Sequence, residues 1–236
     1  MKRLIVLVFV LGMLTVTASA QTVRLEDSSD WWSINRTDPG RPSVKPSADE
    51  LQPRNFEIAG VTLGRGNSDA ITGSLGRVPT VERGDASTGR FQYCYSSAQS
   101  GSVHLVFEFG EDESVVYLFS EGKSWNGEKY CISSNKVSRA TSTNSGLKLG
   151  LSRAEVESIL GQPDSVTPDS FVYCRDFKKK PTAEQFEVFK RDYPQKLSDQ
   201  EAHKDFDYYP VEQYVLAKFT NSKLVYLAIA ISGEGD

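Results

Sequence analysis

The sequence predicts an α+β fold made of two tandem copies of one unit. Each unit is a helical segment followed by an antiparallel meander, and the two lie side by side along a shared sheet edge. Three observations predict it. The first is an internal repeat, the feature to look for before any local propensity. Gly60-Val61-Thr62-Leu63-Gly64 matches Gly146-Leu147-Lys148-Leu149-Gly150, and Leu75-Gly76 with Pro79 matches Leu160-Gly161 with Pro163. Phe91-Gln92-Tyr93-Cys94 matches Phe171-Val172-Tyr173-Cys174, and Phe109 with Val116-Tyr117-Leu118 matches Phe219 with Val225-Tyr226-Leu227. The second is a set of helix start and stop signals in each copy. The third is a following series of segments rich in β-formers, alternating apolar and polar residues.

Taken in order, residues 1–20 carry the marks of an export signal. Lys2 and Arg3 precede an apolar run, Leu4 to Val16, and Ala18-Ser19-Ala20 is a small-x-small cleavage site. The run is shorter than the roughly 20 apolar residues that span a bilayer, and no cysteine follows it to carry a lipid anchor. The mature chain is expected to be soluble, in the periplasm or outside the cell. Residues 21–54 read as a flexible arm, with Pro39, Pro42, Pro46 and Pro53 among polar residues and little to bury. Trp31 and Trp32 are the exception, since large aromatics in a polar arm dock somewhere: on the protein's own sheet, or on a partner.

The first unit covers 55–133. Asn67 can cap a helix whose apolar face is Ile71 and Leu75, and Gly73 within it weakens it by roughly 1 kcal/mol. Strands follow at Phe91 to Tyr95, Val103 to Phe109 and Val115 to Ser120, the last two joined by a turn at Gly110-Glu111-Asp112-Glu113. A linker, 134–144, leads to the second unit, 145–236. Its helix signals are complete: Ser152 and Glu155 form a capping box, Leu151 and Val156 the staple around it, and Gly161 and Pro163 the stop. Its strands are Phe171 to Arg175, Tyr214 to Phe219 and Leu224 to Ile231, with a turn at Asn221-Ser222. Between the first two lies an insertion, 176–213, carrying two further capping boxes (Thr182 with Gln185, Ser198 with Glu201) and a stripe of Phe186, Phe189 and Tyr193. It either packs as a helical hairpin on its own unit or serves as a partner-binding lid.

Composition narrows the chemistry. The net charge of −4 becomes −6 once Lys2 and Arg3 are removed, 25 basic against 31 acidic residues. A nucleic-acid partner is therefore not expected, because such binding needs a basic patch to displace counterions. Of three cysteines, Cys94, Cys131 and Cys174, an oxidising compartment pairs two. Three pairings are open; Cys94 with Cys131 is favoured because both fall in the first unit. That bond would close 38 residues (131 − 94 + 1) and stabilise by roughly 4 kcal/mol. No metal or cofactor is expected: there is no CxxC, His104 and His203 stand apart, and no GxSxG, P-loop or dinucleotide loop occurs. Glu111-Asp112-Glu113 lacks the alternating ligand spacing of a calcium loop.

The run Gly-x-x-Leu-Gly-x-Ser…Val-x-x-Ile-Leu-Gly-x-Pro, Leu147 to Pro163, resembles the signature of the SmpA/OmlA family of small outer-membrane lipoproteins. That family shares its fold with the β-lactamase inhibitory proteins, which are tandem pairs of such a unit. The resemblance covers the chain from about residue 55. It implies helix-loop-helix layers behind one larger curved antiparallel sheet, with the open sheet face available to partners. The lipoprotein cysteine is missing, the second unit has one cysteine where the inhibitor has a disulfide in each, and the insertion has no counterpart. No contact residue carries over by position, so inhibition is an analogy of fold alone.

Function then rests on the expected open face. Alternation puts Leu105, Phe107 and Phe109, and Val225, Leu227, Ile229 and Ile231, toward the helices. It leaves His104, Glu108, Tyr117, Lys218 and Tyr226 outside, a mixture of tyrosines and charges of the kind interfaces use. The leading expectation is a non-enzymatic binding module for a protein, using these residues together with Trp31 and Trp32. The alternatives are a structural role in envelope assembly, where the lipoprotein relatives work, and an enzyme on envelope polymers with carboxylates between the units. The sequence sets no oligomeric state.

Overall fold

The computed structural model describes residues 22–24, 44–64, 68–83, 90–100, 102–110, 113–120, 129–192 and 208–233. The export signal, Trp31 and Trp32, Asn67, Glu111 and Asp112, Tyr193, the Ser198–Glu201 box and His203 lie outside the described residues, as does the side chain of Phe189. In chain order the elements are β1 (Thr22–Arg24), a 3-10 turn (Pro53–Phe56), β2 (Glu57–Ile58), β3 (Val61–Thr62), α1 (Ser68–Leu75), β4 (Thr80–Arg83), β5 (Arg90–Ser97), β6 (Val103–Phe109), β7 (Glu113–Ser120) and β8 (Ile132–Ser134). Then follow α2 (Arg153–Leu160), β9 (Ser165–Val166), β10 (Ser170–Lys179), α3 (Ala183–Asp192), β11 (Tyr209–Thr220) and β12 (Lys223–Ser232).

One ten-stranded sheet dominates, in the order β1-β4-β5-β6-β7-β12-β11-β10-β9, with β8 also on β5; β2 and β3 form a separate hairpin. All pairings in the large sheet are antiparallel except β1 with β4 and β8 with β5. This overturns the expected α+β class with helix-loop-helix layers. The fold is sheet-rich, and three α-helices occur among the described residues, one of them in the insertion. The physical reason lies ahead of each helix, where the resemblance implies another. Before α1 the chain makes the 3-10 turn and the small hairpin. Before α2 it is rich in Ser and Thr, whose side chains take backbone bonds that a helix would need. Thr141 Oγ1 accepts from the Ser138 N–H at 2.9 Å and Thr143 Oγ1 from the Leu147 N–H at 3.0 Å. The expected linker is thus packed: Val137 and Thr143 are buried, and Thr143 bridges to Ile58.

The two halves still repeat an element order, α1-β4-β5-β6-β7 and α2-β9-β10-β11-β12, and meet at β7 and β12. The equivalences differ from the string match by two residues on the first long strand. Tyr95 donates to the Gly76 carbonyl at the end of α1, and Tyr173 donates to the Gly161 carbonyl at the end of α2, at 2.7 and 3.2 Å. Tyr93 meets Phe109 edge-on as Phe171 meets Phe219. Tyr95 and Tyr173 are therefore counterparts, and Cys174 stands where the first half has Ser96, not Cys94.

α1 and α2 bury Ile71 and Leu75, and Val156 and Leu160, on one face of the sheet against Leu105, Phe107, Leu118, Leu227 and Ile229. Val225, expected on this side, is not. The ladder pairs Lys218 with Tyr226 and Phe219 with Leu224, so Val225 is the extra residue of a bulge and packs on the opposite face. The expected insertion also shrinks: β10 runs on to Lys179 and β11 begins at Tyr209, leaving 180–208 between them. Within it, Thr182 and Gln185 exchange their capping bonds and α3 begins there. The expected arm is partly docked. β1 pairs with β4, Ser47 bonds to both Cys174 and Asp176 along β10, and the Leu51 N–H reaches Gln213.

Candidate functional site

The candidate site is the second face of the sheet, away from α1 and α2, where the sequence places His104, Glu108, Tyr117, Lys218 and Tyr226. Strand pairing arranges it in rows. One runs Ser96, His104, Phe119, Tyr226, Lys218, Ser170 from β5 to β10. The next is Cys94, Val106, Tyr117, Ala228, Leu216, Val172. The third is Gln92, Glu108, Val115, Ala230, Tyr214, Cys174. Three of the expected residues thus share one row. The ring of His104 lies 5.1 Å from that of Phe119, Phe119 lies 6.0 Å from Tyr226, and the Lys218 ammonium sits 4.7 Å over Tyr226. Tyr117 meets Tyr226 at 6.4 Å, across the seam between the halves. Such ring spacings are favourable beyond the area buried.

The face is not open. His104 and Glu108 are 1% exposed, Tyr117 and Tyr226 5%, and Lys218 is half-buried. It is a second hydrophobic core, with Val106, Val115, Phe119, Leu216, Ala228 and Ala230 between the aromatics. Among the described residues, Val44 and Cys131 pack against it from other parts of the chain. Cys131 is held there by its bond to Cys94. The expectation of a solvent-facing surface is corrected for a reason visible in the strands themselves. A strand covered on both sides reads as a near-continuous apolar run, and β6 is buried at all seven positions. Phe119, the residue joining His104 to Tyr226, was missed; its signal was the run Val115-Val116-Tyr117-Leu118-Phe119.

The charges near this face are held by partners. Glu108 Oε1 accepts from Arg90 Nη1 at 2.7 Å. At the far edge Asp164 accepts from both the Arg175 guanidinium and, at 2.8 Å, the Cys174 N–H. The Cys174 carbonyl in turn accepts from the Ser47 N–H at 3.0 Å. Cys174 keeps a thiol, half-buried. On the other side of the sheet, Arg153 stacks over Phe171 and Phe219 at 4.2 and 4.9 Å and donates to the Thr167 and Pro168 carbonyls, tying α2 to the turn before β10. Burial lifts the phenol pKa of Tyr95 and Tyr173 well above 10.0, so both remain hydrogen-bond donors. Among the described residues no cluster of three or more His, Cys, Asp or Glu is placed to hold a metal ion. Nor is any helix of the described residues long and apolar enough to cross a membrane. The disulfide is compatible with an exported protein. Compared with known proteins, the chain matches no family model, no curated protein and no solved structure.

Proposed function

We propose that the chain is a non-enzymatic protein-binding module, exported to the periplasm or beyond, that engages its partner at an end of its sheet rather than on a face. The observation that carries this reading is the closure of both faces. The aromatic row is packed away, the buried carboxylate Glu108 is engaged by Arg90, and α1 and α2 cover the other side. Among the described residues, the sheet's margins offer backbone for recognition, the site used when an extended segment adds to a sheet. β9 is such a margin: two residues long, last in the strand order, with Val166 62% exposed. The leader-like N-terminus and the Cys94–Cys131 bond support an oxidising compartment.

The test has two stages. Proteins retained from an envelope extract by the immobilised chain are identified and purified. Their affinity is then measured for the wild type and for Val166→Lys and Val166→Pro, each first shown to unfold at the wild-type urea midpoint. Ten-fold or greater weakening is expected; unchanged affinity in both variants removes this margin from consideration.

A further inference from the structure

We propose that the margin of β10 at Asp176 and Lys178 binds an extended acidic segment of a partner protein. The inference rests on recognition at a sheet margin, as above, and names the chemistry of the partner. Along a strand, the N–H and C=O of one residue point to one side and those of the next residue to the other. Bonds already made show which residues of β10 point away from β11. The Asp164 N–H donates to the Val172 carbonyl at 2.9 Å, the Ser47 N–H to the Cys174 carbonyl at 3.0 Å, and the Asp176 N–H to the Ser47 carbonyl at 3.0 Å. Lys178 is next in that series. Its register partner on β11 is Pro210, which has no N–H to give a ladder. Beyond Ser47, the outward groups that follow are the Asp176 carbonyl and the Lys178 N–H and carbonyl. No backbone group among the described residues bonds to them, and both residues are exposed.

Backbone groups require that the ligand be extended; the side chains select its charge. This end of β10 and the residue after it carry Arg175, Lys178, Lys179 and Lys180 against Asp176. Arg175 is engaged by Asp164, so the lysines set the field at this margin. Alternation puts Lys178 on one face of the sheet and Lys179 on the other. An incoming strand therefore meets an ammonium on whichever side its acids fall. The chain supplies a miniature of the contact: past Ser47, its own Glu50 Oε1 comes to 3.8 Å from Lys179 Nζ. An exposed pair of this kind adds little by itself. Affinity here comes from the backbone ladder, and charge decides which strand is accepted. Lysines on an edge turn neutral and basic strands away, a second β10 included; the same charge admits an acidic one.

The experiment uses the full mature chain and labelled eight-residue peptides in which valine alternates with glutamate, with lysine or with threonine. Fluorescence anisotropy is expected to show saturable binding of the glutamate peptide below about 1 mM, and at least ten-fold weaker binding of the other two. Lys178→Glu/Lys179→Glu, first shown to keep the wild-type urea midpoint, is expected to reverse the preference between the glutamate and lysine peptides. Two further readouts need no variant. The glutamate peptide is N-methylated either at its valines or at its glutamates. Only one set of amides faces β10, so one methylation is expected to abolish binding and the other to leave it. Hydrogen exchange at the Lys178 N–H is expected to slow ten-fold or more when the peptide is bound. The proposal is overturned by no saturable binding, by a threonine peptide that binds as well, or by a preference the lysine variant leaves unchanged. Equal effects of the two methylations, or unaltered exchange at Lys178, overturn it too. Val166 lies toward the other end of β10, opposite Phe171, and the probe is a defined peptide. Failure here therefore leaves the test at β9 standing, and failure at β9 leaves this margin standing.

Discussion

Asp164 and Arg175 form the residue pair with most at stake. Both are largely withdrawn from water and the carboxylate also holds the Cys174 N–H. Removing one partner of a buried pair leaves the other charge without compensation, at a cost of about 3–5 kcal/mol, whereas replacing both with apolar groups is often neutral. Asp164→Ala is expected to lower the urea-derived stability by that amount, and Asp164→Leu/Arg175→Met to recover most of it; equal losses in both would mean the pair is not coupled. Tyr95 makes a second residue-scale case. Its folded pKa lies above its unfolded value of 10.0, through burial first and Tyr93 second. The stability this contributes is complete below pH 10 and is lost as pH rises toward the folded pKa. Tyr95→Phe is expected to cost about 1 kcal/mol at neutral pH and to flatten the decline in stability above pH 10, as followed by thermal melts across pH 8–11. The sequence alone gave no hint of either arrangement. Asp164 and Arg175 sit 11 positions apart with no motif between them, and Tyr95 was hidden behind a better string match to Tyr93.

At the scale of elements, local chemistry was the most legible part. The Ser152–Glu155 box forms with both reciprocal bonds, and Gly161 ends α2 at φ 80°. Two glycine substitutions separate conformation from space. A Cβ at Gly73, inside α1, and one at Gly161 would each meet nothing within 4 Å. Yet only Gly161 has a left-handed backbone. Gly73→Ala is expected to stabilise by about 0.5–1 kcal/mol, and Gly161→Ala to destabilise by about 1 kcal/mol or more, both measured as shifts in denaturation midpoint. Two changes of the same sign would mean that helix propensity is not what separates them. Illegible elements were those decided by distant partners. β10 and β11 extend past their apolar cores as far as Lys179 and Tyr209 because each completes the other's backbone bonds. The Val225 bulge follows from accommodating the turn at Asn221 and Ser222, both at positive φ.

For the whole molecule, the repeat was readable and the layering was not. Alternation identified which side chains share a face: His104, Tyr226 and Lys218 do fall in one row. It could not say whether that face meets water, because tyrosine and histidine suit a wet surface and a packed one equally. The apolar company of those residues, Val106, Phe119, Leu216 and Ala228, was the available sign. The Cys94–Cys131 bond anchors one end of this second core to β5. Its loss is expected to lower stability by about 4 kcal/mol on the chain-entropy account, seen as a drop in Tm when the wild type is reduced, while Cys174→Ser changes the oxidised Tm little. A reduced protein with an unaltered Tm would place the stabilisation elsewhere.

The neighbours of β12 bear on how the chain reaches this state. β12 lies between β7 and β11, in the middle of the sheet, yet β7 is complete at Ser120 and its partner begins only at Lys223. A chain delivered from its N-terminus, through a ribosome or an export channel, therefore presents β7 with a bare, strongly apolar margin until everything between has followed. Contacts this remote in sequence form slowly, and bare strand margins invite association with other chains. Truncation within Lys223–Ser232 would do more than shorten the protein: it would part the first half from the second, leaving two incomplete sheets prone to precipitate and to be degraded.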